Sequence, residues 1–354
     1  MTDFFNKVKE HLHHNLPFVI YKKPNIQSIN GLFQNDGQLN FCQNLSETGF
    51  VFTSFDGNKK ILIPKNNSQE ISTHFIYKEI ILNSKIQSDT NESAKNNFEF
   101  IVSKAIQEIE NGTFSKVVLS RKEIIDLPNF DLSSFFIKLA GTYPSAFTYC
   151  WFHPEIGFWM GSTPESLLKV NRNKLLTEAL AGTQLYQGSE EVVWHKKEKD
   201  EQQFVTDYIV QILSKSVSEI QISRPKTIKT GNLLHLKTEI QGIIHNNTNL
   251  NELVLLLHPT PAVGGLPKIK AIHFINKYEG YNREFYAGYL GEINYNNTFE
   301  MDLYVNLRCM QIQNNNEINK AHLYIGCGIT KDSIPEKEWF ETENKAMTLK
   351  NVIL

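Results

Sequence analysis

Two predicted helices each carry a pair of glutamates three residues apart. Glu198 and Glu201 lie in a helix predicted over about residues 190–218, and Glu338 and Glu341 lie in a helix near the C-terminal end. Residues at this spacing share a helix face, and one such pair is usually a solvated face. Two pairs that met across a cleft would form an oxygen-rich site suited to Mg2+, which takes few protein carboxylates and keeps waters or substrate oxygens.

Lys116 and Glu165 are the two candidates for proton transfer. Lys116 lies in the β-branched run FSKVVLSR, where a lysine is typical of a solvated strand edge. The alternative is a partly buried lysine whose pKa falls far enough for it to act as a base. Glu165 follows Pro164, and it is either a first-turn carboxylate stabilised by a helix dipole or a general acid. The residues alone favour the edge position for Lys116 and leave Glu165 open.

Four residues near the C-terminal end could hold an anion. Arg308 interrupts an apolar alternation, so it either points to solvent or faces inward, where it needs an anionic partner. Gly326 and Gly328 either shape a bulge or let backbone amides approach a carboxylate. Lys345 follows Glu341 by four residues, which by itself predicts an ordinary helix-surface ion pair.

Runs of strands broken by a few long helices indicate an α+β fold. Asp36-Gly37 and Asp56-Gly57 are hairpin signals among the strands of the first 82 residues. The polar segment 83–97 is expected to be a surface linker. The pattern favours one β-sandwich-like core with helices outside.

Composition excludes several classes of protein. The chain has 354 residues, a formal net charge of -2 and 41% hydrophobic residues, so it lacks the clustered basic charge of nucleic-acid-binding proteins. No apolar run approaches the roughly 20 residues of a membrane span, and the first residues do not resemble a secretory signal. Four scattered cysteines predict reduced, mostly buried thiols in a cytoplasmic protein.

A series of motifs in one order resembles the chorismate-utilising enzymes. They are SKVVLSR, GSTPE, LLTEALAGT, the helix with Glu198 and Glu201, HPTPAVGGLP, REFYAG, LRC, GCGI and the C-terminal EW-ET-KA pattern. The resemblance covers residues 98–354. Residues 1–95 carry no such motif and are interpreted as a divergent N-terminal part of the same fold, with their role left open. The resemblance implies a layered antiparallel β-sandwich flanked by helices, with Mg2+-dependent chemistry on chorismate.

The resemblance also implies roles for individual residues. Lys116 matches the lysine that activates water in isochorismate and salicylate synthases, where anthranilate synthases have glutamine. Glu165 would protonate the departing hydroxyl, and Glu201 and Glu341 would bind Mg2+, with Glu198 and Glu338 close by. The implied substrate-binding residues are Tyr286, Arg308, Gly326, Gly328, Lys345, His258, Ala181 and Gly182. Aminodeoxychorismate synthases carry a nucleophilic lysine where this chain has Ala181, so a water-using enzyme is expected.

The expected activity is that of an isochorismate synthase, an isomerase acting on chorismate. Salicylate synthase is the close alternative, because the same site would first form isochorismate and then eliminate pyruvate. Leu180, where a proline often occurs in the salicylate and anthranilate types, favours the first. A catalytically inactive chorismate-binding module is the non-enzymatic alternative. No glutaminase partner is expected, a monomer is expected, and the pathway, menaquinone or siderophore, is left open.

Overall fold

The structure is a computed structural model that describes residues 1–76, 91–296, 299–315 and 318–353. It confirms the predicted α+β class and the layered antiparallel sheets. Over the described ranges the helices are α1 (Thr2–His13), α2 (Glu92–Glu110), α3 (Leu132–Thr142), α4 (Lys196–Leu213), α5 (Leu250–Leu257), α6 (Lys268–Tyr278) and α7 (Pro335–Ile353). Part of residues 83–97, the predicted linker, lies outside the described ranges.

The same ranges hold nineteen strands, all in antiparallel pairs. They are β1 (Phe18–Lys22), β2 (Ser28–Gln34), β3 (Asn40–Phe41), β4 (Gly49–Thr53), β5 (Lys60–Pro64), β6 (Ser68–His74), β7 (Lys116–Leu127), β8 (Phe147–His153), β9 (Gly157–Thr163), β10 (Ser166–Asn171), β11 (Lys174–Leu185), β12 (Val217–Ile222), β13 (Lys226–Thr230), β14 (Leu233–Ile244), β15 (Gly265–Leu266), β16 (Tyr289–Ile293), β17 (Glu300–Val305), β18 (Cys309–Asn315) and β19 (Ile318–Ile329).

These strands form two large sheets. The first runs in the order β15-β7-β19-β18-β9-β8-β1-β2-β6. The second runs β12-β14-β11-β10-β17-β16-β4-β5-β3, with β13 paired to β14. Strands from the first 76 residues therefore extend both sheets.

The middle of the first sheet is buried on both faces, and β1 shows how alternation achieves this. Val19 and Tyr21 belong to the central core, which also contains Phe52 of the second sheet. Phe18 and Ile20 belong to a separate cluster that includes buried side chains of α1, α3 and α7. Because successive strand residues point to opposite faces, an unbroken apolar run such as FVIYK supplies both layers.

Two local predictions were wrong. Helix α2 begins at Glu92, inside the predicted linker, because the Asn91 side chain accepts a hydrogen bond from the Ala94 amide at 3.0 Å and caps the helix. Helix α4 is shorter than predicted, and its fully buried face runs through Glu201, Val205 and Ile209. Continuing the three- and four-residue steps from Glu198 and Glu201 predicts a core face through Val205, Tyr208 and Ile212, but Tyr208 and Ile212 are only partly buried.

The described residues contain no helix long and apolar enough to cross a membrane. All four cysteines are buried and free, as the sequence predicted.

Candidate active site

A cavity lies where β7 and β19 of the first sheet approach β11 and β14 of the second, with α4 and α7 alongside, and it holds about 840 Å3 of empty space including the part open to solvent. It contains eleven of the fourteen residues that the sequence singled out. These are Lys116, Glu165, Ala181, Gly182, Glu201, Tyr286, Arg308, Gly326, Gly328, Glu341 and Lys345. Glu198, Glu338 and His258 do not line it.

Lys116 begins β7 and is buried, with 1% of its surface exposed. The expectation of a solvated edge lysine was wrong, because the short strand β15 covers this edge by pairing Leu266 with Lys116. Burial lowers the pKa of Lys116, and nearby Lys345 and Lys197 act in the same direction, while Glu201 and Glu165 oppose them. The lysine is therefore biased toward the neutral form that a general base requires.

Gly328 makes the approach of Lys116 to Glu201 feasible. It lies on β19, opposite Val118 of β7. A Cβ atom at position 328 would lie 3.2 Å from both the Glu201 Oε2 atom and the Lys116 Cε atom, closer than most Cβ contacts. A residue with a side chain would therefore push the base and this carboxylate apart.

Glu165 lies in the connection between β9 and β10, so the interpretation as a first-turn helix carboxylate was wrong. Its backbone is fixed from both sides: its carbonyl accepts the Val305 amide at 3.0 Å, and its amide donates to the Thr163 hydroxyl at 3.3 Å. The side chain is buried, and burial, with the negative charge of Glu178, raises the pKa of Glu165 to about 8. At neutral pH the carboxyl is thus mostly protonated, as a general acid must be.

Arg308 holds a cationic position between β17 and β18. Its φ of 48° places it in the left-handed region, and its carbonyl accepts the Ser162 amide at 3.1 Å. Its guanidinium donates to the Lys345 carbonyl at 3.3 Å and approaches His235 Nε2 at 3.5 Å. No carboxylate of the described residues forms an ion pair with it, so the guanidinium remains available to an anion in the cavity.

Lys345 and Gly326 meet at the same end of the cavity. Lys345 Nζ donates to the Gly326 carbonyl at 3.1 Å and lies 2.7 Å from Glu341 Oε1. Burial would raise the pKa of Glu341, but the cations Lys345 and Lys197 outweigh it and hold that pKa below its ordinary value. The predicted ion pair on α7 is confirmed, although the pair faces the cavity.

Three stacked rings form a wall of the cavity. Tyr286 stacks on Tyr324 with centroids 5.4 Å apart, and Tyr324 stacks on Trp159 at 5.4 Å. Tyr286 and Tyr324 line the cavity, and Trp159 is fully buried behind them. Gly326 leaves room for this arrangement, since a Cβ atom there would lie 2.6 Å from the Tyr286 hydroxyl.

Glu338 and Glu198 lie beside the cavity lining and not in it. Lys197 Nζ lies 2.5 Å from Glu338 Oε1 and 3.6 Å from Glu201 Oε1, and so joins α7 to α4. The other oxygen of Glu338 and one oxygen of Glu198 are buried and accept no hydrogen bond from any described residue. Glu198 packs against Gly182, whose φ is 71° and where a Cβ atom would lie 3.0 Å from the Glu198 Cβ.

These carboxylates fit a divalent cation by their chemistry. Mg2+ is held by few carboxylates, with waters and substrate oxygens completing its shell, and two buried oxygens here lack a donor. Within the described ranges, no group of three or more His, Cys, Asp or Glu side chains is gathered closely enough to hold a metal ion.

His258 is not brought into the cavity. Its ring packs edge-on against Tyr289, with centroids 5.1 Å apart, and its carbonyl accepts the Lys268 ammonium at 2.5 Å. The residue closes α5 immediately before Pro259, so its side chain points into the core while Ala262 and Val263 of the same loop reach the cavity. The substrate-binding assignment of His258 is thus not supported by its position.

Sequence reasoning missed His235 and Lys197. His235 lines the cavity, and its Nδ1 pairs with the Gly182 carbonyl at 2.9 Å. Burial, with Arg308 and Lys345 nearby, lowers the pKa of His235 to about 3, so it is neutral. Its position in the alternating strand segment LLHLKTEI was the available signal. Lys197 precedes Glu201 by four residues, the same spacing that drew attention to Lys345.

Comparison with known proteins finds a matching family model and several relatives of this chain. A family model described as chorismate binding enzyme matches residues 55–354. Isochorismate synthase MenF from Pasteurella multocida is 30% identical over 273 residues, which cover 71% of this chain and 60% of that protein. Anthranilate synthase component 1 from Archaeoglobus fulgidus is 28% identical over 263 residues, covering 71% of this chain and 61% of that protein.

The chain thus matches about three fifths of the length of these two relatives. The structure of MenF, the menaquinone-specific isochorismate synthase from Escherichia coli, superimposes with a TM-score of 0.77 at 20% identity, covering 96% of this chain and 89% of that chain. At that identity the likeness establishes the shared fold. Because the family model spans most of its length and the fold agrees, the chain belongs to the chorismate-binding enzyme family.

Proposed function

We propose that the protein is an isochorismate synthase, which converts chorismate to isochorismate reversibly. One observation carries the proposal: Lys116 and Glu165 are both buried and line one cavity. Burial shifts both pKa values toward the neutral forms. A neutral amine and a protonated carboxyl are the states that a base and an acid need at the start of the reaction.

The reaction exchanges one water molecule for another. Lys116 takes a proton from a water molecule as its oxygen bonds to C2 of the ring. The double bonds shift, the C4–oxygen bond breaks, and Glu165 gives its proton to the departing hydroxyl, which leaves as water. The lysine ends protonated and the glutamate ionised, so a proton transfer through solvent restores the starting state.

The substrate is a dicarboxylate, and the cavity offers several donors to it. Arg308 and Lys345 supply positive charge, and the Tyr286 hydroxyl and the backbone near Gly326 and Gly328 supply neutral donors. Arginine is suited to bidentate recognition of a carboxylate. These groups would orient the ring so that C2 faces Lys116 and C4 faces Glu165.

Mg2+ is proposed as the cofactor. Glu201 and Glu341, which line the cavity, would hold it, with Glu198 and Glu338 acting from beside the lining. When bound, Mg2+ would neutralise the ring carboxylate of chorismate and fix its position. Burial raises the pKa of Glu201, with Lys116 and Lys197 opposing, so this carboxyl has an electrostatic need for a cation.

Product analysis tests the activity. The purified chain is incubated with chorismate and Mg2+, without ammonia, and the products are separated by liquid chromatography. Isochorismate alone is expected, with loss of turnover in EDTA. Salicylate with pyruvate would assign the lyase reaction instead, and no turnover even with added ammonium would leave a binding module.

Two variants connect the activity to its residues. Lys116→Met should lower kcat by about 10²- to 10⁴-fold, the usual contribution of a general base. Lys122→Met, on an exposed position of the same strand, is the matched control and should retain wild-type turnover. Full activity in the Lys116 variant, with its fold verified by circular dichroism, would remove Lys116 from the mechanism.

A further inference from the structure

Lys197 is a cation already placed among the carboxylates proposed to hold a metal. Its ammonium lies 2.5 Å from Glu338 Oε1 and 3.6 Å from Glu201 Oε1. Glu338 is 2% exposed and Glu201 is 7% exposed. Two such buried carboxylates without a compensating charge would strongly destabilise the fold, so the lysine stabilises their arrangement.

A second cation cannot join this arrangement without a rearrangement. A divalent ion bound to Glu201 or Glu338 would lie within a few ångströms of the Lys197 ammonium, and like charges at that distance repel strongly in a buried site. Mg2+ offers two charges to the same oxygens, and Glu338 Oε2 has no donor among the described residues. The ion and the ammonium are therefore competitors for one place.

The Lys197 side chain borders a second space that its ammonium could occupy. Its side chain also lines an open groove on the outer side of α4, next to Phe114, Leu266 and Pro267. Two carboxylates, Asp200 and Asp332, line the same groove, together with the lysines Lys270 and Lys331. The four-carbon stem of lysine lets its ammonium move by several ångströms while the backbone of α4 stays fixed.

We propose that Lys197 is a displaceable internal cation: it holds Glu201 and Glu338 in the metal-free protein and turns into the outer groove, toward Asp200 and Asp332, when Mg2+ binds. The inference rests on the proposed metal site and adds a positioning residue to it. Lys197 would hold the Glu201 and Glu338 carboxylates in position before the ion binds. It would also lower the affinity of the protein for the ion.

Titration calorimetry with Mg2+ alone, in the absence of chorismate, tests the competition. Lys197→Met keeps the length of the stem and removes the charge, and it should bind Mg2+ roughly tenfold more tightly than wild type. Its thermal midpoint without Mg2+ should be lower, and Mg2+ should raise that midpoint more than it does in wild type. Lys199→Met, at an exposed position of the same helix, is the charge-matched control and should behave as wild type.

Wild-type protein supplies a second readout that needs no variant. Acetic anhydride labels accessible lysines, and mass spectrometry reports the extent at each position. Lys197 should react slowly without Mg2+ and at least about threefold faster at saturating Mg2+, as release of the ammonium from a buried ion pair requires. Lys199 should react equally in both states.

The outcomes separate this inference from the proposed activity. Unchanged or weaker Mg2+ affinity in Lys197→Met, or protection of Lys197 that persists in Mg2+, would overturn the displacement while leaving isochorismate formation intact. If neither wild type nor the variant bound Mg2+, the displacement and the metal assignment would both be wrong. Binding by Lys197→Met alone would support the inference, since the lysine then excludes the ion.

Discussion

At pH 7 an exposed lysine is charged and an exposed glutamate is ionised, but burial opposes both states in this cavity. Lys116 and Glu165 are each less than 5% exposed, and their pKa values move toward each other. Arg308, Lys345 and Glu341 line the same cavity. Burial thus moves the two proton-transfer groups toward their neutral forms beside these binding groups, as is typical of sites that perform acid and base chemistry.

The pH dependence follows from the sign of each shift. Glu165 acts when protonated, below its pKa of about 8, so kcat/KM should fall as the pH rises through about 8. Lys116 acts when deprotonated, so the rate should rise with pH through its lowered pKa. Initial rates from about pH 6 to pH 10 at constant ionic strength would locate the fall assigned to Glu165.

The Glu165→Gln variant identifies the basic limb. It should lose most of its turnover, and the remaining activity should no longer fall near pH 8. Glu155→Gln, at an exposed position, is the matched control and should keep the wild-type profile. If kcat/KM of Glu165→Gln still fell with the same midpoint near pH 8, that limb would belong to another group.

At the scale of elements, β7 and β19 do most of the positioning. They pair in register over eleven positions, from Asn319 opposite Leu127 to Ile329 opposite Val117. This places Lys116 at the start of one strand and Gly326 and Gly328 near the end of the other. The missing side chain at Gly328 lets Glu201 of α4 approach the sheet, and the missing side chain at Gly326 leaves room for the Tyr286 hydroxyl.

Gly326→Ala is expected to disturb substrate binding more than folding. A methyl group there would meet the Tyr286 hydroxyl at 2.6 Å, and moving that hydroxyl should raise the KM for chorismate by roughly tenfold, the loss of one hydrogen bond to a charged group. Steady-state kinetics measure this effect. Gly37→Ala, where an added Cβ meets nothing within 4 Å, is the control. Equal KM values in the two variants would contradict the prediction.

A buried ion pair between Arg283 and Glu279 is hydrogen-bonded to the backbone of β7. Arg283 Nη2 lies 2.5 Å from Glu279 Oε1, and the same guanidinium donates to the carbonyls of Val118 and Val263 at 2.7 Å and 2.9 Å. Glu279 accepts the Ser120 amide at 2.7 Å. The pair therefore joins the strand of Lys116 to the loop that carries Val263 into the cavity.

Removing one partner should destabilise the protein strongly. Arg283→Met leaves Glu279 buried without its cation and should lower the free energy of unfolding by about 3–5 kcal/mol. Urea denaturation followed by circular dichroism measures this, provided that the transition is two-state. Lys277→Met, at an exposed position of α6, should change stability by less than about 0.5 kcal/mol. A similar small change for Arg283→Met would mean that the pair contributes little.

Local patterns predicted the class of fold, whereas the set of residues expected at one site came from the resemblance to the chorismate-utilising enzymes. Alternating apolar residues and turn signals indicate strands, and glutamates three residues apart indicate a shared helix face. Burial of Lys116 could not be predicted, since it depends on a two-residue strand, Gly265–Leu266, arriving from a distant loop. His258 does not line the cavity, because its motif reaches the cavity through Ala262 and Val263.

At the scale of the whole molecule, the first 76 residues are structurally interleaved with the rest. Strand β1 pairs with β8 and β4 pairs with β16, so each sheet contains strands from both parts. Phe50 and Phe52 are fully buried in the core that the two sheets share. This supports the proposal that residues 1–95 are part of the same fold as residues 98–354.

A fragment containing residues 91–354 is therefore expected to misfold. It would expose the edges of β8 and β16 together with the apolar surface that Phe50 and Phe52 cover, a combination that promotes aggregation. Size-exclusion chromatography and thermal melting by circular dichroism, with the full-length chain purified in parallel, measure the result. A monodisperse fragment with a cooperative melt would show that the first residues form a separable unit.

The stacked rings behind the cavity have an optical consequence. Trp159 is fully buried and touches Tyr324, which in turn touches Tyr286 at the cavity surface. An anion that binds against Tyr286 changes the electric field along this stack, and indole emission responds to such fields. The protein therefore carries an intrinsic fluorophore one ring away from the site, and ligand occupancy can be followed in real time without labels or turnover.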